Sequence, residues 1–375
     1  DRFTRGMSYD DVHLLGSRWH GFAGYGKDEK GREWEGTIER PFYSTRVRTS
    51  EGATALVSDD EDRLFQRGDE IANFQHALRF ERVFGEFLTN QNMDRTRHLT
   101  FAYEHQSDHF ADVQSLFPLT LHDRVISAPL VGFQYQDLEF RKLRGVLTFD
   151  RDEDINLGWD WSVEAGPSLD ALGATRDGGL GRAHVAKVSN PLPPFVWFNR
   201  LDLTGRLDGG RLNNGVSRLR SEAYWLNWWK ENTATLRGQW VASKRLDPES
   251  QFLLGGDTGL RAYPVREFGG TNTALVTLEN RRVVLYDYLR LVTIGWAVFA
   301  DAGEVWGPQQ RFRFDQVRSD VGAGIRFAPS RSTDPGLIRI DVAYALNKND
   351  LSTRFALNIG ADIRFGERRE RKFDQ

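Results

Sequence analysis

Apolar and polar residues alternate with a period of two through the C-terminal third of the chain. From Thr353 to Phe365, the residues Phe355, Leu357, Ile359, Ala361, Ile363 and Phe365 alternate with Ala356, Asn358, Gly360, Asp362 and Arg364. Residues 337–346 place Ile338, Ile340, Val342, Tyr344 and Leu346 on one face and Arg339, Asp341, Ala343 and Ala345 on the other. In 320–327, Val321, Ala323, Ile325 and Phe327 oppose Asp320, Gly322, Gly324 and Arg326. In 292–303, Val292, Ile294, Trp296, Val298 and Ala300 oppose Thr293, Gly295, Phe299, Asp301 and Gly303. Alternation sustained over this length predicts strands, not helices. Weaker versions of the pattern predict strands near 17–26, 31–42, 48–59, 71–84, 97–108, 127–137, 138–148, 156–165, 194–207, 214–228, 233–244 and 272–284. With the four above, this makes about 16, and a fainter segment lies near 62–66.

A soluble β-sandwich or propeller also alternates its faces. Three features favour a membrane barrel instead. The predicted strands are about twice as long as the five to six residues usual in soluble sheets. The face opposite the apolar one mixes glycine with charge, which suits a wet lumen better than a packed core. Aromatic residues such as Tyr344, Phe365 and Trp306 sit near strand ends, where a membrane interface would place them. The expected fold is an all-β transmembrane antiparallel β-barrel of about 16 strands, an even number being usual for a single-chain barrel. Polar turns such as 27–31 and longer connections such as 166–193 and 245–271 suggest a barrel with short turns at one end and long loops at the other.

Composition is compatible with this. Mean hydropathy is −0.53, which does not argue against a barrel, because only alternate residues of each strand meet lipid. No segment reaches the ~18 consecutive apolar residues of a spanning helix. Lys plus Arg number 50 against 53 Asp plus Glu, so no basic field points to nucleic acid. There is no cysteine, which removes disulfide and thiolate chemistry. The chain opens on Asp1 with no charged-then-apolar leader, so the numbering is expected to start in a mature or trimmed chain.

The most informative stretch runs Phe252-Leu-Leu-Gly-Gly-Asp-Thr-Gly-Leu-Arg-Ala-Tyr-Pro264, then Gly269-Gly270 and the strand with Leu278-Glu279-Asn280-Arg281. In order follow Phe299-Ala-Asp301-Ala-Gly303, Gly322-Ala-Gly324-Ile-Arg326-Phe327 and Gly336-Leu-Ile-Arg-Ile-Asp341-Val-Ala-Tyr344. Together these resemble the BamA/TamA-type superfamily of outer-membrane protein assembly and translocation barrels, relatives of the two-partner-secretion transporters. The resemblance covers 252–365, while the N-terminal two-thirds carries only the architecture. It implies that 245–271 is a loop inserted in the lumen, with Gly255, Gly256, Leu260, Arg261, Ala262 and Tyr263 as its motif. It also implies that Arg261 pairs with a carboxylate on the inner wall. Alternation independently puts Asp301 on that wall, with Glu279 and Asp341 as second choices; the competing reading of Arg261 is a solvated surface arginine. The last strand resembles the outer-membrane β-signal at Asn358, Gly360, Ile363 and Phe365.

Three departures stand out. Ala262 occupies a position where the family usually has glycine. Residues 366–375, with Arg368, Arg369, Arg371 and Lys372, follow the closing strand as a charged periplasmic tail. No room precedes the barrel for polypeptide-transport-associated domains, so the sequence is either a barrel portion or a member without them. The expected layout is a lead-in over 1–16, a barrel over 17–365 and the tail.

A search for catalytic patterns leaves little. Gly166-Pro-Ser168-Leu-Asp170 lacks the final glycine of a nucleophile elbow. His105 and His109 are four apart in a strand-and-loop context, which does not bring them together as metal ligands. Gly255–Gly259 lacks the Lys-Ser/Thr of a phosphate loop. The expectation is a non-enzyme without cofactor or metal, in the bacterial outer membrane. Its expected partners are membrane lipid and an unfolded polypeptide client or a periplasmic protein, not nucleic acid. The resemblance implies insertion of outer-membrane proteins or polypeptide translocation, past a weak seam between first and last strands. Gly21, Gly24 and Gly26 would leave the edge of the expected first strand poorly packed. The alternative is a passive pore or structural barrel that has lost client handling.

Overall fold

The computed structural model describes residues 5–44, 47–92, 94–147, 149, 151–331, 337–347 and 354–362. The wall begins with β1 (Arg5–Asp11), β2 (His20–Lys27), β3 (Arg32–Arg40), β4 (Thr49–Gln66), β5 (Asp69–Asn92), β6 (Arg95–Ser115) and β7 (Arg124–Asp137). A small hairpin, β8 (Phe140–Arg144) and β9 (Asp152–Asn156), then leaves the wall. The wall resumes with β10 (Trp159–Ser168), β11 (Gly178–Leu192), β12 (Phe195–Asp208), β13 (Arg211–Trp229) and β14 (Asn232–Lys244). A second excursion carries β15 (Phe252–Leu254) and β16 (Phe268–Gly270). The last wall strands are β17 (Asn272–Tyr288), β18 (Val292–Trp306), β19 (Arg318–Pro329), β20 (Leu337–Ala345) and β21 (Phe355–Asp362).

Among the described residues each wall strand pairs antiparallel with the next, giving one sheet of 17 strands; β7 joins β10 and β14 joins β17 across the two excursions. The sheet curls around the second excursion. Phe65 on β4, Arg206 on β12 and Asn358 on β21 all touch that one loop. Among the described residues no ladder joins β21 to β1 or β2.

The two faces of the wall are inverted relative to a water-soluble sheet. Outward-facing Leu278 and Val342 are 54% and 51% exposed, while inward-facing Asp301, Asp320, Arg326 and Asp341 are at most 1% exposed. Apolar residues outside and charges inside is the arrangement that lipid around the barrel and a polar lumen require. β4, β5 and β6, at 18, 24 and 21 residues, are far longer than the ~9–11 needed to cross a bilayer.

The strand inventory differs from expectation in three places, which turn 16 into 17. Arg5–Asp11 lies in the expected lead-in of 1–16 but is wall strand β1; two apolar residues, Met7 and Tyr9, were too short a pattern to reveal it. Gly178–Leu192, expected to be part of a long connection over 166–193, is β11. Its outward positions are Gly179, Gly181, Ala183 and Val185, so glycine and alanine dilute the apolar signal. Residues 138–148, expected as a wall strand, contribute β8 to the inner hairpin instead. The segment near 62–66 is the end of β4. The expected contrast between short turns at one end and long loops at the other also fails. Because strands alternate in direction, the short turn 28–31 and the long excursion 245–271 lie at the same end, called here the loop end. The other is called the turn end. Residues 363–375, with Ile363, Phe365 and the charged tail, lie outside the described residues.

Candidate functional site: a loop clasped inside the lumen

Residues 245–271 leave the loop end of β14 and fold back into the lumen. β15 and β16 form a short hairpin, with Phe252 opposite Gly270 and Leu254 opposite Phe268, which delivers 255–267 as a compact tip. The arms of the tip touch through backbone: the Gly256 amide donates to the Pro264 carbonyl at 3.1 Å. A Cβ on Gly255 would stand 2.3 Å from the Pro264 oxygen, and one on Gly256 2.7 Å from the Tyr263 oxygen, so both positions demand glycine.

Successive tip residues then enter different surroundings. Leu260 and Tyr263 join Leu254, Phe299, Ala343 and Ala345 in a buried apolar cluster. Arg261 points into a cluster of charges on β17–β20. Its Nε and Nη2 donate to the two oxygens of Asp301 at 2.8 and 3.2 Å. Its Nη1 donates to Asp341 Oδ2 at 2.9 Å and, more weakly, to Glu279 Oε2 at 3.4 Å. The guanidinium carbon lies 3.5 Å from the centre of the Phe299 ring, adding a cation–π contact. The fork of arginine meets a carboxylate in two parallel bonds, the strong geometry for this pair.

A second arginine completes the cluster. Arg326 on β19 donates to Asp341 and, at 2.8 Å, to Glu279, so both carboxylates are shared between two cations. Asp320 faces Asp301 directly across the β18–β19 ladder, and the Ala262 amide donates to it at 3.2 Å. Two carboxylates directly opposite in a sheet repel when both are ionised. The loop tip therefore sits where a cation and an amide donor are needed: Arg261 answers Asp301 and Ala262 answers Asp320. Ala262 is not among the residues with positive φ, so alanine is accommodated here without strain. The Tyr263 hydroxyl donates to oxygens of Asn347 or Ser319 at 3.0–3.3 Å.

Asn358 on β21 also reaches the tip, donating from Nδ2 to the Gly256 carbonyl. Gly360 faces Arg339 on β20 instead.

The base of the loop is fastened to the opposite wall. Arg206 grips both oxygens of Asp247 at 2.7 and 2.9 Å. Arg124 on β7 donates to Asp247, Glu249 and Asp108 at 3.1, 2.7 and 3.0 Å. The β4–β5 turn bends over the same loop, its Arg67 and Gly68 amides donating to the Glu267 and Arg266 carbonyls at 2.8 and 3.2 Å. A cavity of about 700 Å³ remains between the loop base and β4–β7 and β11–β13.

The hairpin excursion, 138–158, fills the lumen from the turn end. Arg281 on β17 donates to the carbonyls of Gly145 and Val146 at 3.1 and 2.6 Å. Arg151 does the same to Pro329 and Ser330 at 2.9 and 2.8 Å. Val146, Ile155 and Leu157 pack on Val196, Phe198, Tyr224 and Leu226 of the wall, and Phe149 on Val283, Ala328 and Leu337.

Residues 200–363 match the Omp85 superfamily domain. The matched stretch holds β13–β21, the C-terminal part of β12 from Arg200 on, the inserted loop and every residue of the Arg261 cluster; β1–β11 and the hairpin 138–158 lie before it. Among solved structures, the chain is similar to BamA from Haemophilus ducreyi lacking POTRA domains 1–3, at 11% identity and a TM-score of 0.49, over 96% of this chain and 65% of that one. It is also similar to CdiB from Acinetobacter baumannii, at 11% identity and 0.49, over 96% and 56%. For CdiB from Escherichia coli the values are 13% and 0.49, over 95% and 58%. The chain thus spans less than two-thirds of the length of each. No curated protein matches it in sequence.

The partners that sequence reasoning left unassigned around the inserted loop are Arg326, Asp320, Arg124 and Arg206. Arg326 and Asp320 lie on the inward row of β19, so their parity was a usable signal. Arg124 is 123 residues from Asp247, and nothing local connects them. His105 and His109 form no metal-binding group with other side chains among the described residues.

Proposed function

We propose that the chain is a bacterial outer-membrane β-barrel that inserts or assembles outer-membrane proteins, or passes polypeptides across that membrane. It acts as a non-catalytic protein, in contact with membrane lipid and with a polypeptide client or periplasmic partner. The observation that carries this reading is the Arg261 tip, buried on β17–β20 inside an Omp85 superfamily domain. A loop fixed to both walls braces the barrel from within, so that strands at the seam can part while the rest keeps its shape.

The alternative, a passive pore, is disfavoured by the lumen itself. Loop 245–271 occupies it from one end and hairpin 138–158 from the other, each tied by buried arginines. Depletion of the protein, followed by quantitative inventory of outer-membrane proteins, secreted polypeptides and lipids, separates the two. Loss of particular barrel proteins or secreted polypeptides is the expected result. An unchanged inventory, with altered small-solute permeability alone, would establish the pore instead.

A further inference from the structure

The odd strand number has a geometric consequence. In an antiparallel meander of 17 strands the first and last run the same way, so β1 and β21 cannot close the barrel with an antiparallel ladder. β2 and β21 do run in opposite directions, and β2–β21 alone, one strand fewer, would make an even-numbered barrel. The free edge of β2, however, is taken. Seven pairs, from Arg5 opposite Lys27 to Asp11 opposite Gly21, place β1 along it.

Both flanks of the resulting gap look like sheet edges. Arg5–Asp10 is exposed on both faces of β1. On β21, Leu357 and Ile359 are 69% and 70% exposed, well above Val342 on the neighbouring β20. An open edge with apolar side chains is a template for another strand. β1 is held at its turn-end half by His20, whose two ring nitrogens reach Asp10 at 2.8 Å and Glu39 on β3 at 3.2 Å. The connection to β2 passes through Leu15, a non-glycine residue at φ 54° and almost fully exposed. A seven-residue strand with one neighbour and a strained connection has little to keep it in place.

We propose that Arg5–Asp11 is an exchangeable edge strand that competes with β21 for β2. The chain then has two mutually exclusive states. In one, β1 covers β2 and the seam beside β21 is open. In the other, β21 pairs with β2 and residues 5–19 are released. This exchange is a property of the barrel's own strands and holds whatever client the barrel serves.

The absence of cysteine makes the test clean. In an antiparallel ladder, opposed Cβ atoms lie ~4.5–5.5 Å apart, close enough for oxidative cross-linking. Tyr9→Cys with Ala23→Cys, directly opposed, reports the first state in the full chain reconstituted in lipid. Ala23→Cys with Leu357→Cys or Ile359→Cys reports the second; all three positions face outward. The Tyr9–Ala23 cross-link is expected to form in the intact chain, with little from Ala23 to β21. Deleting residues 5–11 should bring up the cross-link to β21. So should Gly6→Val, whose Cβ would stand 2.8 Å from the Tyr25 carbonyl oxygen. Heat-modified electrophoretic mobility identifies the folded fraction of each variant. Folded chains without β1 in which neither β21 position reaches Ala23 would overturn the proposal. So would an intact chain already fully cross-linked from Ala23 to β21.

Discussion

At its tip, the inserted loop places Arg261 among carboxylates with side chains no more than 3% exposed, whereas at its base Asp247 meets Arg124 and Arg206 where side chains keep 10–20% of their surface. Both anchors pair arginine with carboxylate, at similar distances. They differ in depth, and depth decides energy. Breaking a deeply buried ion pair leaves the surviving charge without water, and typically costs about 3–5 kcal/mol. An exposed pair is worth at most about 1 kcal/mol. The tip should therefore hold the loop, and the base should orient it.

The largest effect is expected for Arg261→Ala. It removes the guanidinium that both oxygens of Asp301 accept from, and leaves Asp341 and Glu279 to Arg326. A loss near the buried-pair figure, about 3–5 kcal/mol in urea unfolding in vesicles, should accompany protease cleavage within 255–267. Gly324→Ala is a subtler blow to the same anchor, because its Cβ would lie 1.9 Å from Asp341 Oδ1 and 2.3 Å from the Ile340 carbonyl oxygen. A destabilisation of roughly 1–3 kcal/mol is expected, again with a looser tip. Arg124→Ala removes the base anchor and should cost less, about 1–2 kcal/mol, leaving the tip resistant to protease. If Arg124→Ala released the tip as fully as Arg261→Ala, depth would not be the deciding variable. Arg281→Ala should free hairpin 138–158 and raise single-channel conductance without exposing the loop tip, since its bonds go to Gly145 and Val146. Ala262→Gly should have the smallest effect, up to about 1 kcal/mol of added chain entropy, because alanine already fits the backbone there.

The same contrast explains what the sequence could disclose. The tip was legible because its residues are consecutive and resemble a known motif, and because two-residue parity put Asp301 and Asp341 on the inner face before any contact was known. The base was not: Arg124 and Asp247 meet only when the wall curls, and neither sits in a distinctive pattern. The hairpin 138–158 misled for a physical reason. Val146, Phe149 and Ile155 bury against the lumen wall, yet lipid would accept the same side chains, so apolarity alone cannot tell inside from outside. β11 was hidden by glycine and alanine on its outward face, and β1 by its length. Strand count is thus the quantity most exposed to error, although the period of two fixed the faces of the long C-terminal strands.

The central claim is that Arg261 and Asp301 act as one unit that locks the loop in the lumen. A double-mutant cycle with Arg261→Ala and Asp301→Ala, read as unfolding free energy and protease access to 255–267, tests it most directly. The account predicts that the double variant is little worse than either single one, with a coupling of about 2 kcal/mol or more. Additivity within about 0.5 kcal/mol would contradict it.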